Sequence, residues 1–365
     1  MSNKFRFCFL LCTVFATSSC FCTFGRAEEL SAVNILNHYK YSLFWTKFVS
    51  MRMEVVFVSG DDNDPFKNNK RDFIFRRDHD RAEWIGQYSV FDPNGKLNTF
   101  NSHIIKHIAT GKNYWYLERG VIAFPPSKFF HMAMKQEDCK TALKNTLGRP
   151  VMGAALFGNP FSGTDGKGVI ELLSEAENLN LHNNMEVING ISCYVLEGVT
   201  DYGKVTVWIA PEKGYSALKW ILEKTPEVMF DGKYLSDIWP EIQSTAETFD
   251  SMEIEQVSDS NGNTAFIPRK ARYTSTVVFT NGKKTTDLVE YTVTNIQLNP
   301  DFEALGAFEV DFPNGTQVYI EEYPGVRYKW QDGKIVPDVD TPMFEEIDNI
   351  VENLKNECPA DSNEN

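Results

Sequence analysis

The chain has 365 residues, of which 42% are hydrophobic and 13% aromatic, and its formal net charge is −14. That apolar content excludes a disordered chain, and the acidic balance argues against nucleic acid or an anionic membrane surface as an electrostatic partner. Outside the first 27 residues only Cys139, Cys193 and Cys358 remain, too few for a disulfide scaffold.

Residues 1–27 are expected to be an export signal. Lys4 and Arg6 precede an apolar run from Phe7 to Ala16, and Gly25-Arg26-Ala27 supplies small residues for cleavage. The run is short of the roughly 20 residues that span a bilayer. An alternative is a lipoprotein signal with anchoring at Cys20, after Thr17-Ser18-Ser19. Cleavage after Ala27 removes three cations (Lys4, Arg6, Arg26) and no acid, taking the charge from −14 to −17.

The spacing of Leu30, Val33, Leu36, Tyr39 and Leu43 predicts a helix over 28–48, with Glu28 and Glu29 at its positive end. Strands are expected from Val49 onward: first the alternating Met51-Arg52-Met53-Glu54-Val55, then 72–75, 82–91, 104–109 and 114–117. Ile170, Leu173, Ala176 and Leu179 predict a second helix over 169–181. Further strands follow from Gly190, with Cys193 as a small buried hydrophobe in one of them. Turn signals recur at Asp201-Tyr202-Gly203, Pro211-Glu212-Lys213-Gly214, Asn261-Gly262, Asn281-Gly282 and Asp332-Gly333. Their frequency indicates an antiparallel meander. Met343, Ile347, Ile350, Val351 and Leu354 predict an amphipathic helix behind Pro342, and polar residues 358–365 a disordered tail.

No sequence signature of catalysis is recognisable: there is no Gly-x-Ser-x-Gly elbow, no His-Glu-x-x-His and no P-loop. Gly163-Thr164-Asp165-Gly166-Lys167-Gly168 lacks phosphate-loop spacing. His103 and His107 fall on an expected strand, where i and i+4 stand roughly 13 Å apart, too far to share a metal. Asp61-Asp62-Asn63-Asp64 is broken as a calcium loop by Pro65. No metal, cofactor or catalytic residue is therefore assigned. Aromatic and methionine residues in two interruptions of the meander remain: Phe129, Phe130, Met132 and Met134, then Met229, Phe230 and Trp239 within 226–241. They are either satellites of the core or the wall or lid of an apolar cavity suited to acyl chains.

Glu186 to Glu197, with Asn189-Gly190 before an aliphatic strand, then Thr206-Val207-Trp208-Ile209-Ala210-Pro211, resemble the LolA-like superfamily of periplasmic lipoprotein carriers and RseB-type sensors. Ala210 stands where that family usually has aspartate. Ile267-Pro268, the run from Thr294 to Pro300, and the pairs Asp301-Phe302 and Ala307-Phe308 are similar to its late segments. The resemblance implies a mainly β (α+β) fold: an open, strongly curved antiparallel half-barrel, here over residues 28–338, with helices packed in its concave side; the insertion at 226–241 and the amphipathic helix expected over 339–357 are additions to that family pattern. It also implies a non-enzymatic role in the periplasm or cell envelope, with a hydrophobic ligand or lipoprotein acyl chains as partner. The alternative is a protein–protein interaction module of the envelope with a filled core.

Overall fold

In the computed structural model, which describes residues 31–58, 69–79, 81–91, 97–110, 113–120, 130–135, 164–165, 167–230, 232–309, 314–315, 317–320 and 328–338, Ser31 opens the first helix. Its hydroxyl accepts from the Asn34 amide at 3.2 Å, capping α1 (Ala32–Ser42), whose inner face buries Ile35, Leu36 and Tyr39. The helix expected as far as residue 48 stops at Ser42. Thr46 bonds back to the Leu43 carbonyl through both its amide and its hydroxyl, and the chain tightens into a 3-10 turn (Phe44–Lys47) that buries Trp45.

From there the described residues are mostly strand: β1 (Phe48–Val58), β2 (Asn69–Asp78), β3 (Arg81–Phe91), β4 (Leu97–Thr110), β5 (Asn113–Gly120) and β6 (Phe130–Lys135). After α2 (Val169–Glu175) come β7 (Asn180–Leu181), β8 (Glu186–Ile188), β9 (Ile191–Thr200), β10 (Gly203–Ala210) and β11 (Ser216–Lys224). A small hairpin, β12 (Met229–Phe230) and β13 (Lys233–Tyr234), leads into α3 (Leu235–Ile238). Three long strands follow, β14 (Ile242–Ser258), β15 (Thr264–Phe279) and β16 (Lys284–Leu298), then β17 (Gln317–Ile320), β18 (Tyr328–Gln331) and β19 (Lys334–Pro337). The expected export signal, the Asp61–Asp64 motif and the C-terminal helix and tail lie outside the described residues.

Pairing runs β9-β10-β11-β14-β15-β16-β1-β2-β3-β4-β5-β6-β17-β18-β19, with β7 and β8 both on the far side of β9. Every pair is antiparallel except β6 with β17. Among the described residues this is one open sheet of 17 strands. It is the curved half-barrel that the sequence predicts. Register shifts at Arg52/Met53, Trp208/Ile209 and Ser251/Glu253 sharpen the local twist and bend.

Turn chemistry fits the hairpins. Asn189-Gly190 and Asp332-Gly333 both have two successive positive φ angles, the type I′ requirement for a two-residue loop.

Register also sets what faces inward. Val49, Met51, Met53 and Val55 of β1 share the concave face with Phe73, Phe75 and Trp84 on one side. On the other side stand Val293, Tyr291, Tyr273, Phe249, Trp220 and Val207. The helices α1 and α2 complete that core. The second helix is shorter than the 169–181 expected: Ala176 is extended (ψ 132°), Glu177 donates to the Val199 carbonyl, and Asn180–Leu181 joins β9. Its buried residues are Val169, Leu172 and Leu173. Close packing there needs Gly198, where a Cβ would stand 2.7 Å from the Ala176 Cβ.

The outer face carries a smaller core. Phe302 and Phe308, in the segment after β16, pack on Ile108 of β4. Arg81 lies over the Phe308 ring at 4.7 Å, and Arg76 and Glu83 form a 2.6 Å ion pair on the same surface. Cys193 is fully buried in a third cluster with Ala210 and Leu218.

Candidate functional site

The sequence marks two apolar groups, and the structure treats them differently. Phe129 lies outside the described residues. The segment of Phe130, Met132 and Met134, expected to be an insertion, is instead the regular strand β6, paired with β5 and β17. Its alternation of large apolar residues is the period of a strand, and two neighbours satisfy its backbone. Eight strands (β14, β15, β16, β1, β2, β3, β4, β5) separate it from β11, beside which the second group lies.

That second group is a true insertion between β11 and β14. The Met229 amide donates to the Asp201 carbonyl at 2.7 Å, docking the hairpin on the β9–β10 turn, and Leu235 is fully buried. Phe230 and Trp239 meet edge to face, ring centroids 4.8 Å apart; Met229 and Phe230 are half-buried and Trp239 is exposed. Beneath Phe230 lies charge. The Lys224 Nζ stands 5.0 Å from the Phe230 ring and 3.6 Å from Glu247 Oε1, and both side chains of that ion pair are buried. The Tyr273 hydroxyl donates to Glu247 Oε2 at 2.7 Å. Burial, reinforced by the Glu247 carboxylate, drives the Tyr273 pKa well above its ordinary value. The hairpin therefore covers a buried polar triad on the concave face.

An apolar opening lies elsewhere, where α1 gives way to β1. Phe44, Trp45, Phe48 and Leu298 wall a half-open depression of about 310 Å³, and Asp259, Asn263 and Asn299 form its polar side. The volume is at the lower end of small-molecule sites. Each wall has a local cause. The 3-10 turn turns Phe44 outward, leaving it 40% exposed, and Trp45 inward. The Asn299 amide donates to the Phe48 carbonyl at 2.8 Å, closing β1 on the end of β16. The Asp259 carboxylate accepts from the Asn261 and Asn263 amides, both at 2.8 Å, and from Asn263 Nδ2 at 2.9 Å, which fixes the β14–β15 turn. These bonds, the one from the Asn263 side chain foremost, hold the Asp259 carboxyl below its ordinary pKa.

The remaining motifs have structural employment. Lys167 binds Glu175 at 2.6 Å and lies 4.8 Å from the Tyr202 ring, while the Tyr202 hydroxyl donates to Asp165. This ties the start of α2 to the β9–β10 turn. The backbone of His103 and His107 belongs to β4, so the pair does lie on a strand. A second, polar depression is lined by Asn180, Leu181, His182, Asn183, Asn184 and Glu186. Among the described residues no group of three or more His, Cys, Asp or Glu is placed to hold a metal.

Compared with known proteins, the chain matches no family model and no curated sequence.

The depression was not foreseen from sequence. Phe44 and Phe48 lay inside a predicted helix, and Asp259 beside an ordinary turn signal. The one available hint was the run of aromatic and β-branched residues Phe44-Trp45-Thr46, where helix propensity falls.

Proposed function

We propose that this chain is an exported, non-enzymatic protein of the periplasm or cell envelope that binds a lipid or an acylated protein in an apolar cavity of its half-barrel. The observation that carries the reading is the aromatic-walled depression at Phe44, Trp45, Phe48 and Leu298, open to solvent at the rim of the concave core. Binding there requires no bond making. Affinity comes from removing methylenes from water, about 0.8 kcal/mol each. The resemblance to LolA-like carriers and sensors supports the same reading, as does the export signal expected at residues 1–27. The Phe230–Trp239 hairpin and the β6 residues are secondary candidates for contact with the ligand.

The test is native mass spectrometry of protein purified from its own envelope, before and after solvent extraction, with titration of an alkyl-chain probe into the extracted protein. A co-purifying lipid or acyl peptide, and saturable binding that Phe44→Ser weakens about tenfold, are expected. A ligand-free mass together with no saturable binding overturns the proposal.

A further inference from the structure

Among the described residues lining the aromatic depression, Asp259 is the one ionisable side chain, and the His79 ring packs edge-on to the wall residue Phe48 at 4.4 Å. Asp259 belongs to the polar part of the lining, and its carboxylate remains ionised at neutral and mildly acidic pH, because the Asn263 side chain and the amides of Asn263, Asn261 and Gly262 stabilise the charge. A carboxylate offers about four acceptor positions. The Asn263 side chain and the amides of Asn261, Gly262 and Asn263 all act on that of Asp259 within the turn, so what it offers a ligand is its negative charge. The site therefore combines an apolar wall with a single negative charge, within a chain whose net charge is −14. A fatty-acid anion placed there would bring a second carboxylate against the first in water-accessible surroundings, and repulsion would weaken binding. A protonated amine would meet the opposite condition.

We infer that the depression takes a single-chain amphiphile with an ammonium head, its alkyl chain against Phe44, Trp45, Phe48 and Leu298 and its head at the Asp259 carboxylate. The inference rests on the ligand-binding reading above and narrows it to a charge class.

The experiment is calorimetric titration of the full mature chain with three probes of equal chain length, each below its micelle concentration and at low ionic strength: dodecylammonium, dodecanoate and neutral dodecanol. Dodecylammonium should bind about tenfold more tightly than dodecanoate. That preference should shrink as salt is added, since the depression is open to solvent. Asp259→Asn keeps an oxygen acceptor for the Asn261 and Asn263 amides. It loses the charge and sets an amide against the Asn263 side chain, so the preference is read within each protein as the ratio of dodecylammonium to dodecanol affinity, and that ratio should fall to about one in the variant. Dodecanoate binding as well as dodecylammonium, or a preference that survives in Asp259→Asn, overturns the charge assignment and leaves the apolar site standing. Failure of all three probes to bind overturns the apolar site and the inference with it.

Discussion

Lys224 sits on the inward face of β11, two positions beyond the fully buried Leu222, and its partner Glu247 lies diagonally across on β14. Ions so placed lose their hydration, and removing one partner strands the other. Lys224→Met alone is expected to cost about 3–5 kcal/mol in urea denaturation. Lys224→Met with Glu247→Leu should recover most of that loss, apart from about 1 kcal/mol for the acceptor taken from Tyr273. No sequence signal foretold the pair, because partners 23 positions apart meet only once the strand register exists. Cys193 was legible, since an apolar strand around a lone cysteine implies burial. Burial raises its thiol pKa from about 9 to about 11. The proton is held more tightly in the folded chain, so this contribution to stability is complete below pH 9 and is lost as pH rises through about 11. Alkylation at pH 8, read by peptide mass mapping, should leave Cys193 unmodified in the native protein and label it fully in denaturant.

At the scale of elements, strand-and-turn grammar was easier to read than helix length. Asn189-Gly190 and Asp332-Gly333 give their hairpins from composition, because few other residues tolerate successive positive φ. The stripe Ile170, Leu173, Ala176 and Leu179 misled because an amphipathic helix and a chain pairing at a strand edge can use the same apolar residues. What decides the end of α2 is Gly198 on β9, which lets Ala176 approach and draws the next residues onto the strand. Gly198→Val should force the two apart at a cost of about 1–3 kcal/mol, measured as a lower denaturation midpoint with unchanged slope. The helix at 28–48 was shortened for a related reason. Phe44, Trp45 and Thr46 favour a tight turn that places one aromatic in the core and one at the rim, and the depression exists because the helix ends there.

For the whole molecule, β1 is bonded on one side to β16 and on the other to β2. The strands before α2 and those after it are thereby parts of one sheet. A single cooperative unfolding transition, coincident by tryptophan fluorescence and far-UV circular dichroism, is the expected result; two separated transitions would mean independent halves. The same bond pattern imposes an order in time. The Thr294 hydroxyl donates to the Arg52 carbonyl across a sequence separation of 242 residues. A chain emerging N-terminus first presents β1 early and its β16 partner only near the end of synthesis. In that interval one edge of β1 has no strand to bond, and the concave core lacks its far wall. Loop closure of that length makes folding slow. If the chain is exported as proposed, such slowness would be an advantage, keeping it extensible until passage through a translocation channel is nearly complete. It also defines a vulnerable period, when a holding chaperone would be most needed to keep that bare strand from pairing with a second nascent copy.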